Sequence, residues 1–411
     1  MRTQIQSPLA DTAAGAIADS VLRACVHCGM CNAVCPTYQI TGDELDGPRG
    51  RIYLIKQALE GGTVGSLTQG HLDRCLSCRA CESACPSGVD YHRLYDIGRA
   101  EVARRVARPW SARMVRAAIR TVFTSAPRVA LLLTMARGLR GLLPKALARK
   151  IPPQCPVGEI PVERHARSMI LLAGCVQAAA APHFNAAARR VFDRIGVSLT
   201  EPAGGGCCGA LSAHLDAPDE ARAFARRNID SWSAALDAGA EALVITASGC
   251  AAFVRDYPDL LANDPAYAEK ARRIAGLVTD PIEAVDGACL AASSSPISPR
   301  IAMHEPCTLQ NGPGLQGRIA ALLARLGYEP QPVADAHFCC GSAGAYSLLQ
   351  PAFARRLRAD KLTALTAHDP DAIYTANIGC WLHLGETSPV PVRHWIEAVD
   401  AVLDGSASAA A

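Results

Sequence analysis

The sequence predicts an α+β multidomain chain: a small helical cysteine-rich domain, then a duplicated α/β cysteine-rich domain built on parallel sheets. Three observations carry this. A four-cysteine run is written twice, as Cys25, Cys28, Cys31, Cys35 and as Cys75, Cys78, Cys81, Cys85, at a constant offset of 50 residues, and each copy closes with a proline (Pro36, Pro86). A second repeat follows, in which Cys175 precedes Cys207-Cys208-Gly209 by 32 residues and Cys307 precedes Cys339-Cys340-Gly341 by the same 32, with Cys250 and Cys380 closing the halves. Short apolar runs end just before Cys175, Cys250, Cys307 and Cys380, and helical patterns such as 219–238 and 352–366 lie between them. Strands alternating with helices imply a parallel sheet with crossover helices.

The run C-x2-C-x2-C-x3-C-P is the bacterial ferredoxin spacing, in which three close thiolates hold one [4Fe–4S] cluster and the fourth reaches across to the other. Cluster one is therefore expected on Cys25, Cys28, Cys31 and Cys85, and cluster two on Cys35, Cys75, Cys78 and Cys81. Proline after each fourth cysteine fixes φ and turns the chain away from the loop. Zinc, which favours two separated C-x2-C pairs, fits this spacing poorly. Disulfides do not suit the context, because MRTQIQSPLADTAAGAIADS lacks a basic stretch followed by an apolar one and so predicts no export. The expected location is cytoplasmic.

At 411 residues, half of them apolar and only 5% aromatic, the chain has room for two to four well-packed domains. Net charge is +3, but residues 99–150 hold eleven arginines and two lysines against one acid, Glu101, a local +12 that leaves about −9 elsewhere. Arg104, Arg105, Arg108, Arg113, Arg116 and Arg120 recur at helical spacings. They read as a solvated cationic face, as a docking face for an acidic partner subunit, or as peripheral contact with the cytoplasmic face of the inner membrane. Nucleic acid is disfavoured, since no aromatic residues are interleaved to stack on bases. The apolar run from Val129 to Met135 is far short of the roughly 20 residues a spanning helix requires.

The expected organisation is a tail over 1–19 with Asp11 or Thr12 capping the first helix, a ferredoxin-type domain over 20–98, and a basic helical linker over 99–165. Cysteine-rich repeats follow over 166–290 and 299–403, separated by the Ser/Pro-rich segment from Ala292 to Pro299. Within the first domain, RGRIYLIKQALEGG reads as a helix stopped by Gly61-Gly62. Parallel sheets place ligands beyond the carboxyl ends of their strands, so each half gathers four thiols in one crevice: Cys175, Cys207, Cys208, Cys250, and Cys307, Cys339, Cys340, Cys380, with His383 as a further candidate ligand. One or two additional iron–sulfur clusters, or zinc, would suit such sets. Cys155 and Cys289 lack repeat counterparts and read as structural cysteines. The string from Gly204 to Gly209 matches G-x-G-x-x-G only through its repeated cysteines and is set aside as a dinucleotide fingerprint. No flavin or nicotinamide cradle, P-loop, G-x-S-x-G or H-E-x-x-H is visible, so no catalytic residue is assigned.

The stretches RACVHCGMCNAVCPTYQITGDELDGPRGRIYLIKQALEGG, HLDRCLSCRACESACPSGVDYHRLYDIGR, TASGCAAFV, CCGSAGAYSLL, TANIGCWLHL and VRHWIEAV resemble the iron–sulfur subunits of bacterial glycolate oxidase (glycolate dehydrogenase). That resemblance implies two flavin-type partner subunits that oxidise glycolate to glyoxylate, and a chain that relays their electrons toward an acceptor such as quinone. The order of domains is shared with the iron–sulfur subunit of anaerobic glycerol-3-phosphate dehydrogenase and, more loosely, with heterodisulfide reductases, which leaves a disulfide- or quinone-reducing subunit as the alternative. The chain departs from heterodisulfide reductases at the closing positions, where Phe253 and His383 stand in place of a second cysteine.

Overall fold

The computed structural model describes residues 1–6, 8–288 and 299–405. Cys289 and the linker segment 292–298 lie outside them. Two compact units emerge, and they do not follow the five sequence segments. The first comprises Met1–Arg116 together with Gln310–Gly314 and His337–Lys361; the second comprises Ala117–Leu309, Leu315–Ala336 and the chain from Leu362 onward.

The first unit is helical. Thr12 caps the helix Ala13–Ala24, its hydroxyl accepting from the Gly15 amide at 3.1 Å. The predicted central helix is Pro48–Leu59, opened by proline at its first turn and followed by Gly61 at φ 81°, a conformation that favours glycine. Tyr91–Arg105 crosses it so closely that a Cβ at Gly98 would stand 2.4 Å from Ile55. Leu22, Ile55, Leu72 and Leu94 form the shared core. Full burial of each such side chain is worth about 1.5–3 kcal/mol.

The second unit holds two four-stranded parallel sheets. In the first, β1 (Arg167–Leu171), β2 (Val197–Thr200), β3 (Leu243–Val244) and β4 (Val278–Thr279) lie in the order β2-β1-β3-β4; in the second, β5 (Arg300–His304), β6 (Glu329–Gln331), β7 (Ala372–Thr375) and β8 (Val392–His394) lie in the order β6-β5-β7-β8. Arg167 pairs with Val197 and Ile301 with Ala372, so the two sheets repeat one topology. Met169, Phe192, Ile301, Tyr374 and Trp395 belong to a single apolar cluster that both sheets share. The expected helices appear as Pro218–Asp237 in this unit and as Pro351–Leu365, most of which belongs to the first.

The first part of the basic segment is engaged within the fold. Arg108 and Arg116 pair with Asp73 at 2.6 and 3.3 Å, Arg104 with Glu101 at 2.8 Å, and Arg120 with Glu220 at 2.9 Å, while Arg105 donates to the carbonyls of Ala58 and Gly62. The exposed part of the segment lies further along, on the helix Ala126–Gly138 and the turn Arg140–Leu142. Among the described residues no helix is long and apolar enough to cross a membrane.

Candidate iron–sulfur sites

The two ferredoxin-type runs adopt one backbone written twice. His27 and Gly29 take left-handed conformations at φ 58° and 85°, and Ser77 and Arg79, exactly one repeat later, do so at 52° and 58°. A single helical turn follows each, Met30–Ala33 and Ala80–Ser83. The left-handed steps curl each loop so that its three close cysteines face one point.

Cys25, Cys28 and Cys31 line one cleft together with Cys85 from the second run, and Cys81 reaches the same wall. Burial, then the neighbouring Cys25 and Cys28, push Cys31 up to about 11. Burial also pushes Cys81 well above its ordinary value, and Cys78, Cys75, Glu82 and Cys35 push in the same direction. The structure thus brings Cys85 to the first run and Cys35 to the second. Crowded, buried thiols with raised pKa values need a cation to become thiolates, and iron supplies that charge while accepting soft sulfur ligands.

The surroundings of the second quartet include residues that the motif did not announce. Arg51 is 1% exposed; its guanidinium donates to the Thr37 hydroxyl at 3.1 Å and to the His71 carbonyl at 2.8 Å, with Nη1 4.0 Å from Cys35 Sγ. Burial pulls its pKa down, Cys75, Tyr91 and Cys35 push it up, and the net shift is upward. Asp46, equally buried, lies 3.8 Å from Arg51 and 3.0 Å from Arg74. Tyr91 donates its hydroxyl to Cys75 Sγ at 3.6 Å, and the Ser77 amide donates to the same sulfur at 3.4 Å. The only sequence signal for Arg51 was a cation on the apolar face of the central helix.

In the second unit, the chain leaves β1 toward one edge of its sheet and enters β3 toward the other, which creates the switch point where α/β sheets bind ligands. Cys175 follows β1, Cys250 follows β3 at the start of the helix Ser248–Arg255, and Cys207-Cys208 follow β2. The four thiols form a contact chain, Cys175 to Cys207 to Cys208 to Cys250. Against the lowering effect of the Cys175 contact, the Cys208 contact and burial push Cys207 up to about 12. Gly209 turns at φ 94°. Two buried residues that sequence reasoning missed pin this turn: Asn228 accepts from the Gly206 amide at 3.0 Å and donates to the Cys207 carbonyl at 2.9 Å, while Tyr257 donates to the Cys208 carbonyl at 2.7 Å. Asn228 is a polar interruption on the otherwise apolar face of Pro218–Asp237, and Tyr257 opens the short helix Tyr257–Leu260.

The second half is divided. In the second unit, Cys307 opens the helix Cys307–Gln310 after β5, and Cys380 sits on Ile378–Gly385 after β7, its sulfur accepting from Asn377 Nδ2 at 3.4 Å. His304 brings a ring nitrogen within 4.8 Å of the Cys380 sulfur, and His383 is buried one helical turn beyond Cys380. Cys339 and Cys340 belong to the first unit, where the Gly341 amide donates to Cys339 Sγ at 3.4 Å. Cys155 is half-buried, and burial raises its pKa.

Comparison with known proteins agrees with this geometry. Residues 21–89 match the 4Fe-4S dicluster domain, and residues 169–255 and 301–385 each match the cysteine-rich domain. Two [4Fe–4S] clusters are accordingly the cofactors of the N-terminal runs. The chain is 47% identical over 405 residues to the glycolate oxidase iron-sulfur subunit of Escherichia coli strain K12, covering 98% of this chain and all of that protein. It is 27% identical over 397 residues to the probable glycolate oxidase iron-sulfur subunit of Bacillus subtilis strain 168, covering 88% and 87%. A lactate utilization protein A from Exiguobacterium is 23% identical over 247 residues, covering 57% of this chain and 97% of that one. With near-complete coverage at this identity, and with both cysteine architectures present, the chain belongs to the family of glycolate oxidase iron-sulfur subunits.

Proposed function

We propose that the chain is the electron-relay subunit of a glycolate-oxidising complex. Flavin-bearing partner subunits would take two electrons and two protons from glycolate to give glyoxylate, and this chain would carry the electrons singly toward a quinone. The observation that carries this reading is the convergence of the two cysteine runs, with Cys85 lining the cleft of Cys25, Cys28 and Cys31 and Cys35 close enough to act on Cys81. Cluster ligation is proposed as Cys25, Cys28, Cys31 and Cys85, and as Cys35, Cys75, Cys78 and Cys81. Cys175, Cys207, Cys208 and Cys250, and by the repeat Cys307, Cys339, Cys340 and Cys380, are proposed to hold further iron–sulfur centres, with His383 as an additional ligand candidate. The chain's own residues supply the sulfur ligands and the amide and hydroxyl donors to them; the clusters supply one-electron chemistry. Recombining the holoprotein with its flavin subunits should restore glycolate-dependent reduction of a water-soluble quinone. Flavin subunits that reduce the quinone equally fast without this chain would refute the relay.

A quinone acceptor places the protein at a lipid surface, and one exposed face suits that. Leu131, Met135, Leu139 and Leu142 form a stripe at helical spacing, from 52% to 84% exposed, with Arg128 and Arg140 beside it. No acid occurs between Glu101 and Glu159. Outward apolar residues among unopposed cations fit anionic headgroups. The protein should co-sediment with phosphatidylglycerol vesicles more than with phosphatidylcholine vesicles, and Leu131→Gln/Leu142→Gln should abolish the difference; equal sedimentation with both lipids would refute membrane contact.

A further inference from the structure

The two cysteine-rich halves are not equivalent with respect to the ferredoxin-type clusters. Gln310–Gly314 and His337–Lys361, both from the second half, pack in the same compact unit as the two cysteine runs, whereas Cys207 and Cys208 of the first half do not belong to that unit. The packing is directed at the second quartet. Asn311 donates from Nδ2 to the carbonyl of Cys78 at 2.8 Å, and its Oδ1 accepts from the Ser83 hydroxyl at 3.0 Å. Tyr346 donates its hydroxyl to the carbonyl of Arg74, the residue before Cys75, at 3.1 Å. The Arg74 guanidinium lies over the Phe353 ring, 5.9 Å from its centroid. Tyr346 follows the Cys339-Cys340-Gly341 turn by five residues and opens the short helix Tyr346–Leu349, so the segment that carries these thiols is the one tied to the ferredoxin run. Gly341 seats the turn on the helix Pro351–Leu365: at φ 89° it tolerates a conformation that an L side chain resists, and a Cβ there would lie 2.8 Å from the Ala354 carbonyl oxygen.

We propose that the second cysteine-rich half, through Cys339 and Cys340, is the direct electron partner of the cluster on Cys35, Cys75, Cys78 and Cys81, and that Asn311 and Tyr346 are positioning residues that hold the two together. The proposal rests on the reading above, in which the cysteine-rich halves carry iron–sulfur centres. One electron leaves the ferredoxin-type site, which is oxidised, and enters the site at Cys339 and Cys340, which is reduced. No bond breaks and no proton moves, and the electrons are those delivered by the partner flavin. Tunnelling falls steeply with distance, so two packed hydrogen bonds to backbone carbonyls at the ligand loop serve the transfer by fixing the gap.

The test uses the full-length holoprotein, purified anaerobically and reduced stepwise with dithionite, with iron quantification and low-temperature electron paramagnetic resonance. A paramagnetic centre close by broadens the signal of the reduced ferredoxin-type cluster and speeds its spin relaxation. Cys339→Ser/Cys340→Ser should remove that relaxation enhancement, and Cys207→Ser/Cys208→Ser should leave it in place. Asn311→Ala/Tyr346→Phe, which spares every ligand, should weaken the enhancement with iron content unchanged. Enhancement that survives Cys339→Ser/Cys340→Ser, or that disappears instead with Cys207→Ser/Cys208→Ser, overturns the route while leaving the centres themselves in place. Wild-type iron limited to the two ferredoxin-type clusters overturns the reading beneath it, and the route with it.

Discussion

Arg51 offers the sharpest test of how the fold tunes its electron carriers. A guanidinium cannot lose its charge at any working pH, so replacing it by Met removes one buried positive charge from the edge of the second quartet. The separation from Cys35 Sγ is 4.0 Å. At an effective dielectric near 20, a full unit charge at that distance is worth about 4 kcal/mol. Two effects reduce this figure. Asp46 stands 3.8 Å from the same guanidinium and opposes its field, and an added electron spreads over the cluster instead of residing on one sulfur. Taking about a third leaves roughly 1.3 kcal/mol, or about 55 mV for a single electron. The sign follows from charge: a cation favours the more negative, reduced cluster, so Arg51→Met should lower the midpoint potential by that amount. Potentiometric titration followed by electron paramagnetic resonance reads it directly, with iron content confirming that both clusters are loaded. The cluster on Cys25, Cys28, Cys31 and Cys85 should not shift. A midpoint that stays fixed or rises, in a variant that keeps its iron, would refute the electrostatic argument.

Cys85→Ser should disturb the cluster of the first run and Cys35→Ser that of the second; spectra in which each substitution removes only its own run's cluster would contradict the crossing. Tyr257→Phe strips the donor from the buried Cys208 carbonyl at 2.7 Å and should cost about 1–3 kcal/mol of unfolding free energy, with lower iron occupancy in the first half; a change below about 0.5 kcal/mol would mean that Tyr257 is a bystander. Burial pushes the Asp280 carboxyl up to about 7 while it caps the helix Pro281–Val285. A folded-state pKa above the unfolded one means stability present at low pH and lost as pH rises through 7, so Asp280→Asn should gain stability relative to the parent between about pH 4 and 7, and a pH-independent difference in melting temperature would refute this.

Much of the architecture was legible because cysteine spacing and strand-end position are local properties. The left-handed residues at 27, 29, 77 and 79 are consequences of a spacing that permits few backbone paths. The strands ending before Cys175, Cys250, Cys307 and Cys380 were legible as apolar runs. Strands β2, β4, β6 and β8 were not, because edge strands of two to four residues carry too little periodicity to stand out. The basic segment was readable as charge but not as geometry: whether Arg108 faces solvent or Asp73 depends on residues 35 positions away. For the same reason Asn228 and Arg51 were missed, since a polar residue on an apolar face announces a buried partner without naming it.

The repeat itself misleads in one respect, because it suggests two equal halves. Counting from the helix-opening prolines Pro218 and Pro351, the residue corresponding to Asn228 is Lys361, and it is also buried, at 4% exposed. Counting from Cys250 and Cys380, the residue corresponding to Tyr257 is Thr387. The first turn is therefore pinned by neutral side chains of its own half, whereas the position of the amide in the second half carries a buried ammonium, in the unit that also holds Cys339 and Cys340. A buried ammonium favours the reduced, more negative state of any centre in its own unit. The second half should then hold the more oxidising centre, which suits the last station of a relay. Lys361→Asn, which installs the first-half residue, should lower the midpoint potential assigned to the second half and leave the first-half centre unchanged. An unchanged second-half potential, with iron retained, would show that the two halves differ in sequence without differing in redox role.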